Sequence, residues 1–198
     1  MKLYITPGSP YARMARIVVI EKALSNRVEI IVAQTRRADS PYYRINPSGR
    51  VPYLVCDDGV GLEESALICA HLDGLGGRPL LGPPSLESRR LEALARSLCD
   101  GVAVWGRELT RPGNERSPGV IRHEAERARR MADLWEREIE QPPMRGALNM
   151  AQLTLGCALG MEARNRDLDW RSGHPRLAAW FGEWSRRPSF AATAAPAA

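Results

Sequence analysis

Lysine is nearly missing: two residues of 198, against 26 arginines. The formal net charge of +5 therefore rests on arginine. A basic run interleaved with aromatics, the footprint of a nucleic-acid surface, is also missing. Doublets such as Arg36-Arg37 and Arg186-Arg187 are scattered. From Arg122 to Glu140 arginine alternates with glutamate, as on a solvated helix face. No nucleic-acid partner is expected, and the surplus charge suits small anionic ligands better. No stretch approaches the ~18 apolar residues of a membrane span. Met1-Lys2-Leu3 begins a strand-like run rather than a signal peptide, so a cytoplasmic location without a membrane partner is expected. The four cysteines, Cys56, Cys69, Cys99 and Cys157, form no CxxC pair, and each sits among apolar neighbours as a small buried hydrophobe would. His71, His123 and His174 have no ligand spacing. Neither a dithiol redox centre nor a metal site is expected.

What is present divides into two halves. Lys2–Thr6 alternates at period two and reads as a strand. Ser9-Pro10 then offers an N-cap followed by proline at the first helical position, and the helix it opens ends near Asn26. Val28–Val32 is a second strand, with a short helix around Tyr42-Tyr43-Arg44. Asn46-Pro47-Ser48-Gly49 is dense in turn formers, and Pro52 biases Val51 toward an extended backbone. Tyr53–Cys56 and Val60-Gly61-Leu62 flank the hairpin turn Asp57-Asp58-Gly59. Glu63-Glu64-Ser65 opens a further helix, placing a hydroxyl and two carboxylates where free backbone N–H groups collect. Strand, helix, strand, short helix, hairpin, helix is the order of a thioredoxin-like half, residues 1–75.

Gly74–Pro79 and Gly82-Pro83-Pro84 mark a linker, residues 76–84. Beyond it, over residues 85–198, strand signals stop. Leu91, Leu94, Ala95, Leu98 and Val102 share one helix face. A second helix runs from Ser117-Pro118 to Gln141-Pro142-Pro143. A third, from Met150 to Arg164, is apolar nearly all round. Asn149 and Gln152 have the spacing of a capping box, and Leu148 and Leu153 that of a hydrophobic staple. Leu177, Trp180, Phe181 and Trp184 mark a fourth helix, and the tail from Ala191 reads as frayed.

Val51-Pro52, followed twelve residues on by Glu64-Ser65 at a helix start, resembles the glutathione-binding signature of glutathione transferases. Ser9-Pro10-Tyr11-Ala12-Arg13 resembles the active-site segment of bacterial, serine-type members. Gly156-Cys157-Ala158-Leu159-Gly160, Asp167-Leu168-Asp169-Trp170 and Arg187-Pro188-Ser189-Phe190 look like one bacterial branch of the family. The resemblance spans nearly the whole chain. It implies a thioredoxin-like glutathione-binding domain followed by an all-helical domain, and a homodimer. The implied activity is activation of the glutathione thiol for attack on small hydrophobic electrophiles, in detoxification, with glutathione as co-substrate and no metal. The alternative is a non-catalytic relative that keeps the fold for ligand or protein binding.

Residue by residue, the resemblance gives Ser9 the thiol. Val51, before a cis-Pro52, pairs its backbone with the cysteinyl part of glutathione. Glu64 and Ser65 hold the γ-glutamyl amine and carboxylate, and Arg50 pairs with a glutathione carboxylate. Each position has a plainer reading: Ser9 as an N-cap only, Pro52 as a trans edge proline, Glu64-Ser65 as a helix start, Arg50 as a surface arginine. Tyr11 is the rival thiol donor. Two departures stand out. Arg96-Ser97 occupies the place where the branch often carries Asp-Gly, and Met161 the place of an aromatic.

Overall fold

The computed structural model describes residues 1–82 and 85–195. Two compact units are found, one comprising Met1–Leu81 with residues 188–195, the other beginning at Gly82 and ending at Arg187.

The first unit is built on β1 (Lys2–Ile5), β2 (Glu29–Val32), β3 (Tyr53–Val55) and β4 (Gly61–Glu63). They form a mixed sheet in the order β2-β1-β3-β4. β1 runs parallel to β2 and antiparallel to β3, and β3 runs antiparallel to β4. Helix α1 (Pro10–Glu21) is capped by Ser9 and started by Pro10, as its local chemistry dictates. It buries Met14, Ile17, Val18 and Val19, and packs against α2 (Ser65–Asp73), which contributes Ile68 and Leu72. With Leu3 and Leu54 of the sheet, all at most 3% exposed, these side chains are the core of the unit.

The glycine-rich stretch after α2 is held down at its far end. The Asp73 carboxylate accepts the backbone N–H groups of Leu80 (2.8 Å) and Leu81 (3.0 Å). It lies 3.6 Å from the Lys22 ammonium, which donates to the Arg78 carbonyl at 3.0 Å. Both side chains are buried, at 4% and 8% exposure, so the charges meet out of water.

The expectation of a frayed tail is overturned through residue 195; residues 196–198 lie outside those described. Helix α8 (Pro188–Ala192) packs on α1, and Thr193 is fully buried. Arg13 and Arg16 donate to the Phe190 and Thr193 carbonyls, and Ser189 Oγ donates to Glu21 Oε1. An alanine-rich composition says nothing of such distant partners.

The second unit holds α3 (Leu86–Leu109), α4 (Pro118–Glu138), α5 (Pro142–Arg145), α6 (Met150–Leu159) and α7 (Pro175–Trp184). Helix α6 is buried on every side and lies between its neighbours. It approaches α7 so closely at Gly156 that an added Cβ would fall 2.2 Å from Trp184 Cζ3. The chain needs glycine there. The helix ends at Leu159, five residues before the expected Arg164, and tightens into a 3-10 turn over Gly160–Ala163. The Leu159 carbonyl is taken instead by the Trp170 indole N–H at 3.1 Å. Helix α7 is capped from outside: Glu136 of α4 accepts the Arg176 (3.1 Å) and Leu177 (2.9 Å) backbone N–H groups. Burial pushes the Glu136 carboxyl up, but these bonds and Arg176 outweigh it and hold the group below its ordinary value.

The capping box of α6 is half made. Asn149 Oδ1 accepts the Gln152 N–H at 3.1 Å, and Leu148 and Leu153 are both buried as the staple requires. The Gln152 side chain does not return to Asn149; its amide donates to the carbonyls of Pro143, Gly146 and Ala147. Asn149→Ala is expected to cost about 0.5–2 kcal/mol of stability. A denaturation midpoint equal to wild type would show that the cap is dispensable.

Candidate functional site

Strand register brings the candidate residues to one end of the sheet. Tyr4 of β1 faces Tyr53 of β3, and Tyr53 faces Glu63 of β4. The turn leaving β1, the dipeptide entering β3 and the residue leaving β4 therefore lie abreast. These are the segments of Ser9, Val51-Pro52 and Glu64-Ser65.

Ser9 closes the turn with its backbone N–H on the Thr6 carbonyl (3.1 Å), and its Oγ accepts the Ala12 N–H at 3.2 Å. Accepting uses an oxygen lone pair, so the hydroxyl keeps its own proton to donate. The first turn of α1 carries no acidic side chain, which leaves the positive helix end available to an anion. Tyr11, half-buried, stands two residues further on.

The Val51-Pro52 peptide is cis, and Pro52 is buried. The backbone just before it is clamped. The Arg50 carbonyl accepts the Tyr42 hydroxyl (2.5 Å) and the Asn46 amide (3.0 Å). The Arg50 N–H donates to Ser48 Oγ (3.2 Å), which in turn donates to Glu63 Oε2 (2.7 Å). Burial, only partly offset by the Asn46 hydrogen bond, raises the Tyr42 phenol above its ordinary value, so it remains a donor at neutral pH. Gly49 turns at φ +67°, and a Cβ there would come within 2.7 Å of the Tyr43 ring. Arg50 itself extends its side chain into solvent. Tyr42 and Asn46 are the residues sequence reasoning missed. Asn46 was legible only as a turn former, since its amide reaches across the turn to a carbonyl.

Glu64 adopts φ +80°, ψ 120°, a conformation that costs a non-glycine residue about 1–3 kcal/mol. That geometry caps α2: Glu64 Oε1 accepts the Ala66 N–H (3.2 Å) and the Ser65 hydroxyl (3.0 Å). Glu64 is exposed and Ser65 is 2% exposed. A carboxylate facing water beside a hydroxyl and a helix N-terminus is suited to a zwitterionic amino-acid head: the amine to Glu64, the carboxylate to Ser65 and the backbone N–H groups.

Cys56 departs from the expected buried hydrophobe. It is half-buried, with Sγ 3.6 Å from His71 Nε2. Burial, then Asp58 and Asp57, push its thiol up, so it is no thiolate nucleophile at neutral pH. Cys69, Cys99 and Cys157 are buried. Among the described residues, no group of His, Cys, Asp and Glu is placed to hold a metal ion, and no helix is long and apolar enough to cross a membrane.

Residues 3–79 match the family model for the glutathione S-transferase N-terminal domain, and residues 118–183 that for the C-terminal domain. The chain belongs to the glutathione transferase family. This family member is 29% identical over its full length to an uncharacterized GST-like protein, YibF, of Escherichia coli K12, also covered completely. Among solved structures, a glutathione transferase family member of Pseudomonas fluorescens Pf-5 with bound S-(propanoic acid)-glutathione is 32% identical, at a TM-score of 0.85. The match covers 99% of this chain and 100% of that one. A glutathione S-transferase of Methylobacillus flagellatus KT with glutathione bound is 29% identical over 98% of each chain, at a TM-score of 0.84.

The two departures from the bacterial branch take definite places in this transferase-family chain. Arg96 pairs with Glu92 (3.8 Å), and Ser97 Oγ donates to the Ala93 carbonyl. An Asp-Gly pair does stand in α3, one turn further on at Asp100-Gly101. Gly101 lies against α4, where an added Cβ would meet Glu124 Oε2 at 2.7 Å. Met161 sits in the 3-10 turn after α6.

Proposed function

We propose that this chain binds glutathione at the end of its sheet and that Ser9 holds the sulfur as thiolate for attack on small hydrophobic electrophiles. The observation that carries the reading is the juxtaposition of an N-capping serine that still has a proton to give, a cis Val51-Pro52 and a Glu64-Ser65 helix start. Relatives crystallised with glutathione and with a glutathione conjugate support it. Val51 offers backbone to the cysteinyl part, and Glu64 and Ser65 take the γ-glutamyl head. Arg50, exposed like Glu64, pairs with a glutathione carboxylate.

Free glutathione, with a thiol pKa of about 8.5, is only a few per cent thiolate at neutral pH. A hydroxyl donor and a helix N-terminus together are expected to bring the bound thiol to about 6.5. At pH 6.5 half would then be thiolate instead of about 1%, a ceiling of roughly 50-fold on the rate. Ser9→Ala keeps the helix end, so its loss is smaller, and glutathione affinity changes little. The test is the thiolate absorbance of bound glutathione against pH in wild type, Ser9→Ala and Tyr11→Phe. A titration raised only in Tyr11→Phe would transfer the role to the tyrosine.

Chloronitroaromatics, isothiocyanates and hydroperoxides, assayed side by side, distinguish conjugation from reduction. Glutathione binding without turnover on any of them would make the chain a non-catalytic relative. In this reading the enzyme is a cytoplasmic detoxifying homodimer. Sedimentation at about twice the 21.9 kDa of one chain is expected, and a species of single-chain mass at micromolar concentration would remove the dimer.

A further inference from the structure

We propose that Arg13 is a positioning residue for the thiol site, and that residues 188–195 are the anchor it grips; the inference rests on the thiolate reading of Ser9. Arg13 stands one turn into α1, and its backbone N–H closes that turn on the Ser9 carbonyl at 3.0 Å. Its guanidinium is fixed by three contacts, two along one edge and one on a face. Nη2 donates to the Phe190 carbonyl at 2.7 Å, and Nε to Thr193 Oγ1 at 3.3 Å. The guanidinium carbon lies 3.4 Å from the centroid of the Phe190 ring. Arg16, one turn of helix nearby, adds a bond from Nη1 to the Thr193 carbonyl at 3.1 Å.

The anchor is itself rigid. Thr193 has no exposed surface, and its hydroxyl also bonds the Ser189 carbonyl at 2.8 Å. Phe190 is 8% exposed. A planar fork held along its Nε–Nη2 edge and on one face transmits its position to the backbone that carries it. That backbone is the turn whose carbonyl belongs to Ser9 and whose Ala12 N–H orients Ser9 Oγ. A charge-assisted hydrogen bond to sulfur depends on tenths of an ångström at the donor, so loosening this turn weakens thiolate stabilisation without touching a glutathione contact. At the far end of α1 the segment has an independent attachment, Ser189 Oγ to Glu21 Oε1 at 2.6 Å, which serves as an internal comparison.

The test compares Arg13→Lys, Phe190→Leu, Thr193→Val and Ser189→Ala with wild type and Ser9→Ala. Arg13→Lys keeps the charge and loses the fork. Phe190→Leu and Thr193→Val leave the guanidinium intact and remove what it grips. All three are expected to raise the titration of bound glutathione, with about three- to tenfold less thiolate at pH 6.5. Calorimetric glutathione affinity should stay within about twofold of wild type. Ser189→Ala should lower the thermal midpoint and leave the titration in place, which separates positioning from general loosening. Wild-type titrations in Phe190→Leu and Thr193→Val, with Ser9→Ala shifted, overturn the Arg13 assignment and leave the serine reading standing. If Ser9→Ala is unshifted while the three variants move, the serine reading falls, and with it a role for Arg13 exerted through Ser9. If no variant moves the titration, both fall.

Discussion

Ser65→Ala is expected to weaken glutathione binding about 10- to 150-fold, the result of losing a hydrogen bond to a charged group worth about 1.5–3 kcal/mol. The structure places this hydroxyl at the first position of α2, buried and already ordered by its 3.0 Å bond to Glu64. That bond uses the hydroxyl's one proton, so donating to a ligand carboxylate gives up the bond to Glu64, and the loss should lie toward the lower end of that range. The loss should fall on affinity and spare the thiol titration, because the proposed function gives Ser9 and Ser65 different ends of the ligand. Calorimetry with glutathione checks it, and an affinity within about twofold of wild type would remove Ser65 from the site. Any accompanying change in stability is read separately from thermal unfolding of the unliganded variant.

Asp73→Ala should be the most destabilising of the substitutions considered, at about 3–5 kcal/mol. The carboxylate accepts the Leu80 and Leu81 N–H groups and stands 3.6 Å from the Lys22 ammonium. Removing it takes the counter-charge from a lysine whose side chain is 4% exposed and which keeps its bond to the Arg78 carbonyl, and it leaves two backbone donors without their acceptor. Lys22→Met should cost much less, because Asp73 keeps both backbone partners and the methionine fills the lysine channel. The asymmetry is the signature. Equal losses in the two variants, measured by chemical denaturation, would show that the ion pair and not the backbone capture dominates. A loss under about 1 kcal/mol in Asp73→Ala would show that the segment to Leu81 is held by other contacts.

Much of the candidate site was legible because its signals are local. A serine before a proline caps a helix wherever it occurs, and the structure uses this device at Ser9, Ser40 and Ser117. The helix start at Glu64-Ser65 was legible from its residues and the cis bond before Pro52 through family resemblance, although no propensity predicts a glutamate at φ +80°. What escaped is long-range. The tail reads as a featureless alanine run, and its hold on α1 joins residues 177 to 180 apart in the chain. Likewise Asp73 looks like an ordinary helix-end acid until its partners seven and eight residues on fold back onto it. The Gln152 amide obeyed the spacing of a capping box and chose three carbonyls instead, because the loop before α6 folds back within its reach.

The strap formed by residues 188–195 has a consequence for how the chain is made. The first compact unit contains both the start of the chain and this late segment, with Gly82–Arg187 synthesised in between. Translation at roughly 5–20 residues per second would complete an N-terminal domain well before the rest of a two-domain protein emerges. Here α1 leaves the ribosome without the partner that grips Arg13 and Arg16, which lies 177 residues on, and waits roughly 9–35 s for it. The unit that carries Ser9, Val51-Pro52 and Glu64-Ser65 is therefore completed only after Gly82–Arg187 has been synthesised.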